Sequence, residues 1–213
     1  MNFPFVTNLS DDVLAGQNKT IEFIESYTNK SVKAIESKYL QHAFFMWLSM
    51  ASKNGGKSQV AKLMANDKYT KNVWFELVKA IFRLSEHTAP VVGLSIIEKV
   101  PLSDKEMDEY LVLLENLREE FDLILENDSV LIYPGFPTVA PFHNQALWTN
   151  TIDHLYYFGI FNALGFPSTQ IPVGLNSNRL PVGIQLVSNR YCDQLTISLA
   201  NLIETQLGGW IEP

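Results

Sequence analysis

The chain has 213 residues, of which 46% are hydrophobic and 18% charged, and a formal net charge of −7. This is ordinary globular composition, long enough to bury a sizeable core and too apolar for a disordered polypeptide. An acidic balance without a Lys/Arg cluster excludes phosphate-neutralising contacts, so no nucleic-acid partner is expected.

A single cysteine, Cys192, excludes an intrachain disulfide framework and fits a reducing, intracellular compartment. No zinc-ligand spacing occurs, and no metal is expected. No run reaches the ~18 apolar residues of a spanning helix, and Met1-Asn2-Phe3-Pro4 lacks the features of a signal peptide. Phe3-Pro4-Phe5-Val6 begins without a polar lead-in, as though in mid-domain. The expectation is a piece of a longer product or a truncated gene model.

Ser10, followed by Asp11 and Asp12, predicts a helix start, with Val13, Ile21 and Ile24 marking one face. A second helix is predicted from Val32 to Lys53, with Val32, Ile35, Tyr39, Ala43, Met46, Trp47 and Met50 at helical spacing and Asn54-Gly55-Gly56 ending it. Gly56-Lys57-Ser58 is not a phosphate loop: the required first glycine would be Ala51, and no strand precedes it.

Val73 to Leu84 is apolar on most sides, with only Glu76, Lys79 and Arg83 to mark a wet face. Two readings stand: deep burial, or an interfacial helix whose Trp74, Phe75 and Phe82 dip below lipid headgroups. Ser85, Glu86 and His87 are neighbours in sequence, and residues one or two apart on a helix do not face each other. The expectation is that His87 and Thr88 end this helix before Pro90.

Ser103-Asp104-Lys105-Glu106 is a capping box. It predicts a long helix with Met107, Tyr110, Leu111, Leu114, Leu117, Phe121 and Leu125 on one face. Val130 to Tyr133 then reads as a short strand covered on both sides, and Gly135 to Asn144 as irregular chain. Trp148 to Leu164 returns to helix. On it Ile152, Leu155 and Gly159 share a face that suits the wall of an alkyl-chain pocket or a close helix approach in a packed core.

Gly165 followed by Pro167 stops that helix. Ser168–Leu175 and Leu180–Val187 read as a hairpin, with Pro172 and Pro181 confined to ends, bulges or an edge. Asp193 is the expected cap of a last helix that turns Leu195, Leu199 and Leu202 inward before Gly208-Gly209.

Gly165-Phe166-Pro167-Ser168-Thr169, Pro172-Val173-Gly174, Leu180-Pro181-Val182-Gly183-Ile184-Gln185-Leu186-Val187 and Asp193-Gln194-Leu195-Thr196 together resemble the C-terminal signature of amidase-signature hydrolases. Ser85 to Pro90, Leu131 to Pro134, Ala140 to His143 and Gly208 to Pro213 are similar to fatty-acid amide hydrolases of the second type. The resemblance covers nearly all of residues 1–213, as the C-terminal portion of a single domain.

The resemblance implies an α/β fold with a mixed sheet under covering helices, no cofactor, and a long-chain acyl amide as substrate of the complete enzyme. It also implies a Ser, cis-Ser, Lys triad, in which lysine relays a proton through the bridging serine and backbone amides hold the oxyanion. The chain contains no adjacent serine pair and no Gly-x-Ser-x-Gly elbow, so no catalytic residue is assigned and the chain alone is expected to be inactive.

In mammalian relatives helices of this half cap the acyl channel and touch membrane, which favours the lipid reading of Trp74, Phe75 and Phe82 and the wall reading of Ile152, Leu155 and Gly159. The alternative is a non-catalytic remnant that dimerises through a sheet edge and the broad apolar helix. Three strands are few for so many apolar helix faces, which predicts marginal stability in isolation.

Overall fold

A computed structural model describes residues 9–55, 58–99, 102–126, 128–142 and 151–212, apart from the side chains of 54, 55, 151–156 and 158. The elements in chain order are α1 (Asp11–Thr28), a 3-10 turn (Leu40–His42), α2 (Ala43–Gly55), α3 (Gln59–Leu63), α4 (Val73–Ile81), α5 (Ala89–Ile97) and α6 (Asp104–Ile124). They continue with β1 (Leu131–Pro134), α7 (Thr151–Leu164), β2 (Ser168–Leu175), β3 (Pro181–Val187) and α8 (Asp193–Leu207). The fold class is mixed α/β, as expected. Two compact units divide it: residues 1–44 with 113–213, and residues 45–112.

The first unit is built on an antiparallel sheet in the order β1-β3-β2. The expected hairpin is β2–β3, and its turn is organised by Asn176, whose Oδ1 accepts from the amides of Asn178 (3.0 Å) and Leu180 (2.9 Å). The same side chain reaches Asp12 on α1 through Nδ2 at 2.9 Å. Register shifts between Pro172 and Gly174, leaving a bulge at Val173, and Pro181 opens β3. Both prolines therefore sit where a missing amide costs no ladder bond.

One face of the sheet carries Ile171, Val173, Val182, Ile184 and Leu186 against Ala200 and Ile203 of α8 and Phe23 and Ile24 of α1. Helix α1 lies close because of Gly16: a Cβ there would stand 2.8 Å from methyls of both Val173 and Val182. Ser10 caps α1 through the Val13 amide at 3.4 Å, as its sequence predicts. The inward stripe of α8 is Thr196, Ala200 and Ile203, one residue on from the leucines expected there. Leu195 and Leu202 instead line a groove of about 1010 Å³ with Ile24, Val32 and Ile132, and Leu199 lines it while also packing against the sheet core, as expected of it. Asp193 is the first residue of α8, and Cys192 is its cap position, without a side-chain bond.

The other face packs aromatic rings. Phe161 meets Tyr133 edge-on at 5.1 Å, and Phe121 of α6 stacks on Phe161 and Phe166 at 6.3 Å each. Leu114, Leu117, Phe121 and Leu125 are all buried, which bears out the face read for α6. Its capping box also forms, with Ser103 N donating to Glu106 at 2.8 Å and Glu106 N to Ser103 Oγ at 3.2 Å.

The helix predicted from Val32 starts only at Ala43. Polar side chains outcompete it upstream: Glu25 accepts the Val32 amide at 2.8 Å, and Ser37 Oγ accepts the Tyr39 amide at 3.3 Å while donating to Glu120 at 2.7 Å. Val32 and Ile35 turn toward the groove as a result.

In the second unit, Phe45 stacks on Tyr110 at 5.1 Å, and Glu98, the residue that caps the end of α5, accepts the Val60 amide near the start of α3 at 2.9 Å. The segment read as one helix to Leu84 ends at Ile81, and Pro90 sits in the first turn of α5 rather than marking a stop. Proline is tolerated in the first turn of a helix, where amides lack partners anyway.

Candidate functional site

Helix α7 is held by the sequence on either side of its C-terminus. Gly165 takes φ +75°, its amide bonds the Phe161 carbonyl at 2.9 Å, and the Phe166 amide bonds the same carbonyl at 3.1 Å. Arg118 of α6 donates to the carbonyls of Leu164 and Ala163, both at 3.2 Å, bringing a cation to the negative end of the helix dipole. Tyr157, Ile160, Phe161 and Leu164 form the buried stripe against the sheet and α6.

Gly159 is buried too, yet two residues turn a helix by about 200°, so it lies on the far side from Phe161. The side chains of Ile152 and Leu155, the other two residues read as an alkyl wall, lie outside the described residues. Their backbone is α7, so all three share the helix expected of them.

A pocket of about 510 Å³ opens at the end of β1, lined by Gly135, Phe136, Val182, Gly183 and Trp210, with the amide of Gln170 across it. Its walls carry apolar side chains and neutral polar groups, which suit an alkyl or aryl moiety with one hydrogen-bonding group. Nearby, burial beside Tyr157 holds the Tyr133 hydroxyl protonated far above the usual phenol range. Tyr133 is a packing group here and supplies no base.

Ser85 and His87 do not form a nucleophile–base pair. Ser85 Oγ donates to Glu76 at 3.0 Å and accepts the His87 amide at 3.1 Å, while His87 Nε2 meets the Lys71 ammonium at 2.7 Å. Glu76, 4% exposed, also takes Lys79 at 2.8 Å and Lys71 at 3.8 Å. The Lys79 bond, with Ser85 and Lys71 helping, holds its carboxyl below the usual range against the opposing effect of burial.

This helix is inverted relative to an ordinary surface helix, with its carboxylate inward and Trp74 (57% exposed), Phe75, Ile81 and Phe82 (69%) outward. The burial reading of Val73–Leu84 is thereby corrected. The signal was available, since a glutamate inside an apolar run, with Lys71 just before the run and Lys79 within it, asks for an internal partner.

Sequence reasoning also passed over Gln185, 4% exposed in a run of apolar residues. Among the described residues no helix is long and apolar enough to cross a membrane, and no group of three His, Cys, Asp or Glu is placed to hold a metal.

The amidase family model matches residues 1–197. The chain belongs to the amidase family. It is 35% identical to human fatty-acid amide hydrolase 2 over 98% of this chain and 40% of that protein. It is 33% identical to zebrafish (Danio rerio) fatty-acid amide hydrolase 2-B over 99% of this chain and 40% of that one.

Its fold matches a fatty acid amide hydrolase structure with a TM-score of 0.64 at 16% identity, over 95% of this chain and 38% of that structure. The structure of 6-aminohexanoate cyclic dimer hydrolase matches with a TM-score of 0.64 at 15% identity, over 93% and 42%. This amidase chain thus spans about two fifths of the length of these relatives, and its mixed α/β architecture is theirs.

Proposed function

We propose that these residues form the C-terminal, substrate-channel portion of a serine amidase that hydrolyses long-chain acyl amides. The Ser, cis-Ser, Lys triad belongs to sequence outside them, and the 213 residues alone are inactive. The carrying observation is the 35% identity to human fatty-acid amide hydrolase 2 along 98% of a chain that contains no adjacent serine pair. Ile152, Leu155 and Gly159 of α7 form a wall for the acyl chain, Gly159 leaving room beside two aliphatic side chains. The reaction in this reading needs no metal or cofactor.

The outward aromatic face of α4 supports a second component, peripheral contact with an intracellular membrane through Trp74, Phe75 and Phe82. It would deliver an apolar substrate from the bilayer. The same exposed face, with the outer strands β1 and β2, also favours a competing reading: a non-enzymatic remnant that homodimerises. Transcript sequence upstream of Met1 separates the two, since the amidase reading requires a lysine and a serine pair there.

The test of the channel is photolabelling of the purified chain by an oleoyl amide with a photoreactive group at the end of its acyl chain. Labelling maps to α7 and is suppressed by Gly159→Leu. Labelling confined to other elements, or unaffected by that substitution, contradicts the reading.

A further inference from the structure

Gln185 sits in the middle of β3, between Ile184 and Leu186, with its side chain on the face toward α7. Its Nε2 donates to the Tyr157 carbonyl at 2.8 Å and to the Pro134 carbonyl at 3.0 Å, and its Oε1 accepts from Ser168 Oγ at 2.8 Å. Both amide donors are used, and one buried group ties together β1, β2 and α7. The orientation is fixed, because a flipped amide would turn its oxygen toward two carbonyl oxygens.

The aromatic packing around it does a different job. Contacts of Phe161 with Tyr133 and Phe121 hold α7 near the sheet, and Arg118 with the three-residue link to β2 pins its C-terminal end. Burial of apolar surface is non-directional, however, and leaves the tilt of the helix axis about that end unset. The Tyr157 carbonyl, directed along that axis, already has a place in the ladder of α7. Its bond to Gln185 is therefore not needed for satisfaction; it registers the helix against β3.

We propose that Gln185 is a positioning residue for acyl-chain selectivity. By holding the Tyr157 carbonyl, about two turns before the pinned end, it sets the tilt of α7 against the sheet, and so the depth at which the Gly159 face meets the chain. This rests on the reading of α7 as a channel wall.

The experiment compares the 213-residue chain with Gln185→Met, which keeps length but loses both donors, and with Gln185→Glu. The probes are an oleoyl and an octanoyl amide carrying the same fluorescent amine, with affinity read by anisotropy at about pH 5 and about pH 8. The unsubstituted chain prefers the oleoyl amide. Gln185→Met narrows that preference about tenfold at both pH values. Gln185→Glu narrows it at the higher pH, where a carboxylate faces two carbonyl oxygens, and restores it at the lower, where the protonated acid donates to one of them.

A general loss of stability lowers both affinities and leaves their ratio alone. Where Gln185→Met does not fold, the pH dependence of Gln185→Glu decides. An unchanged oleoyl preference in the folded variants at both pH values overturns the role of Gln185 while leaving the channel reading intact. Failure of the unsubstituted chain to bind either amide overturns both.

Discussion

The ammonium of Lys19 on α1 donates to the carbonyl of Val173 at 3.0 Å, the residue that the bulge in β2 leaves outside the ladder. A carbonyl freed by a register shift is met by a cation from the covering helix, and the two features locate each other. Replacing Lys19 with Met removes a charge-assisted bond at a partly wet site. It should lower the unfolding free energy by about 1 kcal/mol, measured by urea denaturation of the chain.

Gly16, one turn earlier, tests the same interface by volume. Its absent side chain lets α1 approach two β-branched residues, and a Cβ would fall 2.8 Å from each. Gly16→Ala gains helix propensity yet must displace Val173 or Val182, so a net loss of about 1–3 kcal/mol is expected in the same denaturation assay. A more stable variant would mean that α1 does not lie this close.

Glu76 predicts an acid-sensitive second unit. Its folded pKa lies below the ordinary 4.5 because Lys79 and its other partners favour the carboxylate. A carboxylate with a depressed folded value contributes stability that is complete above 4.5 and lost as pH falls through the folded value. Lys79 is raised by the same bond, and its contribution persists up to its ordinary 10.5 before fading at higher pH. Thermal melts of the chain and of Glu76→Gln should therefore differ most near neutrality and converge in acid.

The outward face of α4 predicts a loss of vesicle binding. In flotation with liposomes, changing Trp74 and Phe82 together to Ser should abolish most co-migration while leaving the melting temperature within a few degrees, because both side chains are more than half exposed. Unchanged flotation removes the membrane component of the proposal.

Local signals that name their own partners were legible in the sequence. Ser10, the Ser103–Glu106 box, Gly165 and the Asn176–Arg179 turn each act within a few residues, and each formed as read. The α6 face was legible for the same reason: its heptad-like leucines decide burial without outside help.

What could not be read depends on groups distant in sequence. Val32 to Tyr39 has helical spacing but loses to Glu25, Ser37 and Glu120. In α4, by contrast, the partners lie within nine residues: the glutamate of an otherwise apolar run was a signal left unread, and burial of Glu76 against Lys71, Lys79 and Ser85 inverts the expected orientation. Helices α3 and α5 were not foreseen, the first being five residues long and helped by a carboxylate from Glu98. Of the site, the helical course of α7 and its stop at Gly165 were legible. Gln185 was not, because its partners at Tyr157, Pro134 and Ser168 come from three separate elements.

In the proposed reading these residues shape a substrate channel and hold no activated serine. Incubating the purified 213-residue chain with a fluorophosphonate probe, alongside an oleoyl amide turnover assay, addresses it directly. Neither covalent labelling nor release of oleic acid above the uncatalysed rate is expected. Stoichiometric labelling of a serine, or turnover by this chain unaided, would contradict it.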